Sequence, residues 1–208
     1  MWIPRPYAMD EAELRPLVDE VGSAELITVG ADSFPIATRL PIIWREGRLI
    51  FHMAAANPQW RTIGEATPAL AVVTGPEAYI TPSWYTEKEE HGRVAPTWNY
   101  SAVHFRGRAT VHRDPDWVRA AVSDLSDLHE RRRDRPWSIE DAPRSYVDQQ
   151  MAAIVGVELA IESIEAKAKR SQNQSDTNRV TVIENLDPGG YRGERRMAQQ
   201  MSADLGTE

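Results

Sequence analysis

YITPSWYTEKEEHGRVAPTWNYSAVH, residues Tyr79–His104, decides how this chain is read. Tyr79, Trp84, Tyr85, Trp98 and Tyr100 crowd around Pro82 and Pro96, and a charged loop over Trp84–Arg93 separates two β-type runs. Indole and phenol rings pair an apolar body with a polar handle, so this density beside polar groups suits a wall for a flat cofactor or ligand. The same rings also suit a strand pair packing on a helix. Strand alternation puts Trp98, Tyr100, Ala102 and His104 on one face, and Asn99, Ser101, Val103 and Phe105 on the other.

Upstream of this block, Asp10 can cap a first helix whose Leu14, Leu17, Val18 and Val21 recur at helical spacing. Short β-type runs follow at Ala24–Val29, Phe34–Ile43 and Arg48–Met53, with turn signals at Ala31-Asp32-Ser33 and Glu46-Gly47. Asn57-Pro58 opens a short helix through Ile63. Leu70–Thr74 and Ala78–Thr81 read as strands around Gly75-Pro76. Downstream, Ala95–Phe105 and Arg108–His112 read as a hairpin about Gly107, and Asp114-Pro115 starts a long helix ending near an arginine run. Arg144–Ala152 reads as a short helix, Ile154–Ile164 as a strand, and a polar loop then leads to a final short helix. Six or seven short strands with helices at the edges imply an α+β fold built on an antiparallel barrel. Residues 1–186 read as one domain, and residues 187–208, where the apolar pattern vanishes, as a disordered tail.

The 208 residues carry a net charge of −7, so bulk attraction to DNA or to an anionic membrane is not expected. Cysteine is absent, which excludes disulfides, thiolate metal sites, a cysteine nucleophile and thiolate ligation of haem. The start, MWIPRPYAMDE, lacks the apolar stretch of a signal peptide, and no apolar run reaches spanning length, so the expected location is cytoplasmic. No HExxH, P-loop, GxGxxG or GxSxG spacing is present.

Among the histidines, His104 shares a strand face with Trp98 and Tyr100. His52 lies on the strand face opposite Leu49, Phe51 and Met53. Either can ligate a metal centre, bond a ligand, or bond a backbone carbonyl. His91 reads as solvated, His112 as a strand end, and His129 as a helix C-terminal residue in favourable contact with the dipole. Glu87, Glu89 and Glu90 read as a solvated run. Lys88 and Arg93 flank the charged loop and suit a lid over an anionic ligand. Arg131–Arg133 read as a solvated helix end.

Several motifs recur in order: MWIPRPY at 1–7, LP at 40–41, HMAAANPQW at 52–60, GPEAYITPSWY at 75–85, VAPTWNYSAVH at 94–104, DAP at 141–143, IVGVE at 154–158 and KRSQNQ at 169–174. Together they resemble the PaiB-like family, the FMN-binding negative transcriptional regulators. The resemblance implies a flavin-reductase-like split β-barrel, a homodimer, and cofactor sites at the subunit interface. The chain departs from the family pattern where HLP becomes Arg39-Leu40-Pro41 and where H-x-A-R-x-N-P carries Ala55. It departs again where K-W-K-L-S-Q-N-R becomes residues 167–174, KAKRSQNQ. Arginine makes strong bidentate contacts with phosphate, so the lost charges are of the kind that hold a flavin phosphate.

Such departures resemble the haem-dependent piperazate synthase branch, which joins the two nitrogens of N5-hydroxyornithine to give piperazic acid for natural product biosynthesis. By that resemblance His52 or His104 is the axial ligand of haem b, and Arg39 or Arg170 pairs with a propionate or the substrate carboxylate. Trp60, Trp84 and Trp98 line the macrocycle, Tyr100 lies at the reacting centre, and Lys88 closes the site. The partner is then a small amino-acid substrate. The alternative is an FMN-binding regulator without turnover, which would contact DNA through Arg131–Arg135.

Overall fold

The computed structural model describes residues 1–186 and 192–206. The helices are α1 (Glu11–Val21), α2 (Glu87–His91), α3 (Pro115–Glu130), α4 (Arg144–Ala152), α5 (Asp176–Asn185) and α6 (Arg192–Gly206). The strands are β1 (Ser23–Val29), β2 (Pro35–Pro41), β3 (Ile43–Arg45), β4 (Arg48–Ala54), β5 (Thr67–Ile80), β6 (Thr97–His112) and β7 (Ile154–Lys169). They follow the order β2-β1-β5-β6-β7-β4-β3, and the registered pairs β1–β2, β1–β5, β3–β4 and β4–β7 are all antiparallel. The fold is therefore α+β. No helix among the described residues is long and apolar enough to cross a membrane.

The chain forms two compact units. The first comprises Met1–Leu17, Thr74–Val103 and Glu165–Glu208, and the second comprises Val18–Val73 and His104–Ile164. In the first unit, Asp10 starts α1 by accepting the Glu13 N–H at 2.8 Å, satisfying a donor the helix leaves open. Its core joins Ala78 and Ile80 of β5 and Tyr85 to Val182 and Leu186 around α5 and to Met197 and Met201 of α6. In the second unit β1 buries Ala24, Leu26 and Thr28 with period two, and β4 buries Leu49, Phe51 and Met53. Asp114 caps α3 by accepting the Asp116 N–H at 3.2 Å. The Trp44 ring meets Phe105 edge-on at 5.0 Å.

The C-terminal segment differs from its sequence reading. Residues 187–191 and 207–208 of the expected disordered tail lie outside the described residues, but Arg192–Gly206 form α6. Met197 and Met201, four apart on one helix face, are fully buried, and each such burial contributes about 1.5–3 kcal/mol. The polar composition hid a stripe of methionine and alanine that is apolar enough to dock. The charged loop is also more regular than expected, forming a 3-10 turn at Pro82–Trp84 and then α2.

Two glycines read as turn signals have other causes. Gly75 lies inside the continuous β5, where an added Cβ would come within 3.0 Å of the Leu17 and Ser101 side chains. Gly107 lies inside the continuous β6, so no hairpin forms there. An added Cβ would stand 1.9 Å from the carbonyl oxygen of Ala160 in β7. Glycine here permits a close backbone approach rather than a reversal. We expect Gly107→Ala to destabilise the chain by at least about 1–3 kcal/mol, the range for overpacking, because backbone cannot rotate away as a side chain can. Denaturant unfolding measures this, and an unchanged midpoint would contradict the close approach.

Candidate functional site

In the second unit, the HMAAANPQW segment builds one wall of a cavity of about 400 Å³. Asn57 caps the 3-10 turn Pro58–Thr62 by accepting the Gln59 N–H at 2.9 Å, and its amide donates to Thr38 Oγ1 at 3.0 Å. The fully buried Gln59 amide donates to Leu26 O at 2.9 Å and Ile36 O at 3.1 Å, tying the turn to β1 and β2. Trp60 is then fixed by its indole N–H donating to Ala55 O at 2.9 Å. Arg113, Arg119 and Arg144 line the same cavity, opposed by Asp116 and Asp148. Arg119 and Asp148 pair at 2.7 Å, with Arg144 3.9 Å from the same carboxylate. The guanidinium of Arg113 lies 5.5 Å from the Trp60 ring centre and makes no ion pair among the described residues. A flat indole edged by arginines, one of them uncommitted, is a surface for an anionic group.

In the first unit, motif residues from 85, 94–99 and 169–174 meet around a polar cavity of about 350 Å³. Tyr7, Tyr85, Arg93, Lys169 and Ser171 are among its walls. Burial pushes the Tyr85 phenol above its ordinary value, partly opposed by a hydrogen bond with Ser171. Lys169 donates to Thr97 Oγ1 and, at 3.0 Å, to Trp98 O, and burial holds its ammonium below the usual lysine range.

The residues proposed from sequence divide between the units. Of the second-unit set, Trp60 lines the arginine-edged cavity. Arg39 does not, because it is exposed on β2 and committed to Glu25 at 3.0 Å and Ser23 Oγ at 3.1 Å. His52 lies in β4 directly opposite Gly156 of β7. An added Cβ at Gly156 would meet the Trp117 ring at 2.0 Å, so this face of the pair is covered by α3 rather than open. Trp117 in turn stacks on His112, with ring centres 4.0 Å apart and planes at 6°. The His52 Nδ1 is buried with no hydrogen-bond partner among the described residues, and burial lowers its pKa by disfavouring the charged ring. His104 is half-buried in β6.

Of the first-unit set, Trp84 packs against the methionine-lined core and Trp98 is half exposed, its indole donating to Glu77 at 3.2 Å. Lys88 is exposed and reaches Ser83 Oγ at 3.4 Å. The Tyr100 ring lies 5.1 Å from the ammonium of Lys167. Arg170 is buried and internally paired: its guanidinium contacts Glu13 of α1 and stands 2.9 Å from Asp204 of α6. Burial pushes the Asp204 carboxyl above its ordinary value while Arg170 pulls it back. Neither arginine gained relative to the family pattern is therefore left over for a ligand. Among the described residues no group of three or more histidines and acids could hold a metal ion. Arg113, Arg119 and Arg144 escaped the sequence reading because they stand outside the recurring motifs. Lys167 and Lys169 lie within one and match its two lysines, so a reading that weighs departures from the motif passes over them.

Arg170→Met should destabilise the chain by about 3–5 kcal/mol, the cost of leaving buried charge uncompensated. A change below 1 kcal/mol in chemical denaturation would contradict the pairing. His52 gives a pH signature with a definite sign. Its folded pKa lies below the ordinary 6.5, so the unfolded chain takes up the proton first. Its contribution is present above pH 6.5 and is lost as pH falls through that value towards the folded pKa. His52→Gln should flatten the acid limb of stability against pH, measured by urea midpoints across that range.

Residues 1–163 match the family model described as "Putative FMN-binding domain". The chain is 31% identical over 210 residues to the protease synthase and sporulation protein PAI 2 of Bacillus subtilis, covering 99% of this chain and 98% of that one. The chain belongs to this PaiB-like, FMN-binding-domain family. Two solved structures share the split-barrel fold. The FAD and haem binding protein of Mycobacterium smegmatis superposes with a TM-score of 0.60 at 19% identity, over 91% of this chain and 82% of the other. The conserved hypothetical protein Rv2991 of Mycobacterium tuberculosis gives 0.59 at 16% identity, over 84% and 94%.

Proposed function

We propose that the chain is an FMN-binding protein of the PaiB type, with the cofactor phosphate held in the second-unit cavity beside Ala55 and Trp60. The carrying observation is Arg113, a guanidinium on an indole face with no ion pair among the described residues. A phosphate dianion needs several charged donors, and Arg113 with Arg144 offers them where Ala55 leaves space. FMN, when bound, supplies one- and two-electron chemistry. Trp60 would orient the phosphate by fixing the wall, and Asp148 would hold Arg119 and Arg144 in place. We read the working form as a homodimer, following the split-barrel resemblance. A regulatory contact with DNA would use the exposed arginines at 131–133 and 135.

A second reading is a haem-dependent enzyme that forms the N–N bond of piperazic acid from N5-hydroxyornithine. It is favoured by the unsatisfied buried Nδ1 of His52, since a buried polar atom wants a partner, and by the haem named for the M. smegmatis neighbour. Against it, a metal-ligating histidine usually donates its second ring nitrogen to an acceptor, and His52 shows no such bond at Nδ1.

An absorption spectrum of the purified protein, expressed with iron and a haem precursor, separates the two readings. We expect the two-band flavin spectrum, released on denaturation, with FMN affinity weakened about ten- to a hundredfold in Arg113→Ala and Arg144→Ala. A Soret band with a pyridine haemochrome, absent in His52→Ala, would replace the flavin reading with the haem one.

A further inference from the structure

Lys167 is only 6% exposed, yet among the described residues its ammonium makes no ion pair. Its ammonium lies among three rings instead, 5.1 Å from Tyr100, 5.5 Å from Trp2 and 5.9 Å from Tyr7. Ring faces attract a cation but carry no net charge, so the cage offsets only part of the desolvation. Two residues along β7, on the same strand face, stands Lys169. Its cationic form is disfavoured by burial, which Tyr100 opposes in part and Lys167 reinforces more weakly. Lys169 and Tyr7 both line the polar cavity of the first unit, and Arg93 enters it with no ion pair among the described residues.

Two cations, Arg93 and Lys169, thus line one small cavity, with the Lys167 ammonium 5.9 Å from the ring of its wall residue Tyr7, and the single acidic lining residue, Glu87, is engaged by Ser175 at 3.2 Å. The other walls are mostly phenols, hydroxyls and amides, with Val94, Ala95 and Pro96 as the apolar part. A volume near 350 Å³ corresponds to about twelve waters at ~30 Å³ each, room for a ligand of amino-acid size. We propose that this cavity binds a small carboxylate-bearing metabolite, its carboxylate between Arg93 and Lys169 and Lys167 supplying buried positive charge behind Tyr7. The site lies wholly in the first unit and stands whichever cofactor the protein carries.

Isothermal titration of the full chain, as isolated with its cofactor, tests this with L-glutamate, L-ornithine, 2-oxoglutarate and inorganic phosphate as probes. At least one carboxylate should bind, with affinity reduced about ten- to a hundredfold in Arg93→Ala and in Lys169→Met. Arg93 is exposed, so its variant keeps the test meaningful if Lys169→Met fails to fold. Arg48→Ala, which removes a surface ion pair with Glu158, should leave binding unchanged. The assignment is overturned if no carboxylate binds at millimolar concentration, if Arg93→Ala binds as tightly as the natural chain, or if phosphate competes equally.

Discussion

A buried guanidinium held between two carboxylates constrains much of the first unit. Arg170 sits at the end of β7, Glu13 on α1 and Asp204 on α6, so three segments far apart in sequence must meet for the charge to be tolerated. Such an arrangement is a weak source of net stability, because taking ions out of water costs much of what their attraction returns. Its effect is selective: packings that leave α6 undocked expose one charge without its partners. The methionine stripe of α6 supplies the burial, and the ion pairs fix where the helix lies.

The barrel class was legible in the sequence because strand alternation and turn residues act locally. Leu26 and Phe51 fall on the buried faces that their period-two patterns require, and Asp10 and Asp114 cap the helices they precede. What failed depended on partners distant in sequence. Gly107 looks like a turn until Ala160 is placed beside it, and Gly75 until Leu17 and Ser101 are. The candidate site shows the same division. The capped Asn57-Pro58 turn fixes Trp60 locally, whereas the acidic partners that occupy Arg39 and Arg170 stand 14 and 157 residues away. Arg113, Arg119 and Arg144 become neighbours of Trp60 only when α3 and α4 fold over that turn.

Where the family resemblance leads one to expect arginine, this chain carries Ala55, and Arg113, Arg119 and Arg144 line the same cavity. Strand-end and helix residues bring guanidiniums to the same wall, and Asp148 restrains two of them. A side chain held on a helix is aimed by the rigid backbone beneath it. The one on the Asn57 turn would have been aimed by that turn's own hydrogen bonds. Under the function proposed above, redistribution of this kind would keep recognition of an anion while altering its orientation, which leaves scope for different chemistry on one scaffold.

Three strands, β5, β6 and β7, each begin in one compact unit and end in the other. Neither unit is therefore a continuous stretch of gene, and no single cut would release either as an intact polypeptide. Recombination that shuffles whole modules cannot easily exchange one half of this chain for another. Divergence must instead proceed by replacing side chains in place, as at Ala55, or by remodelling the terminal helices.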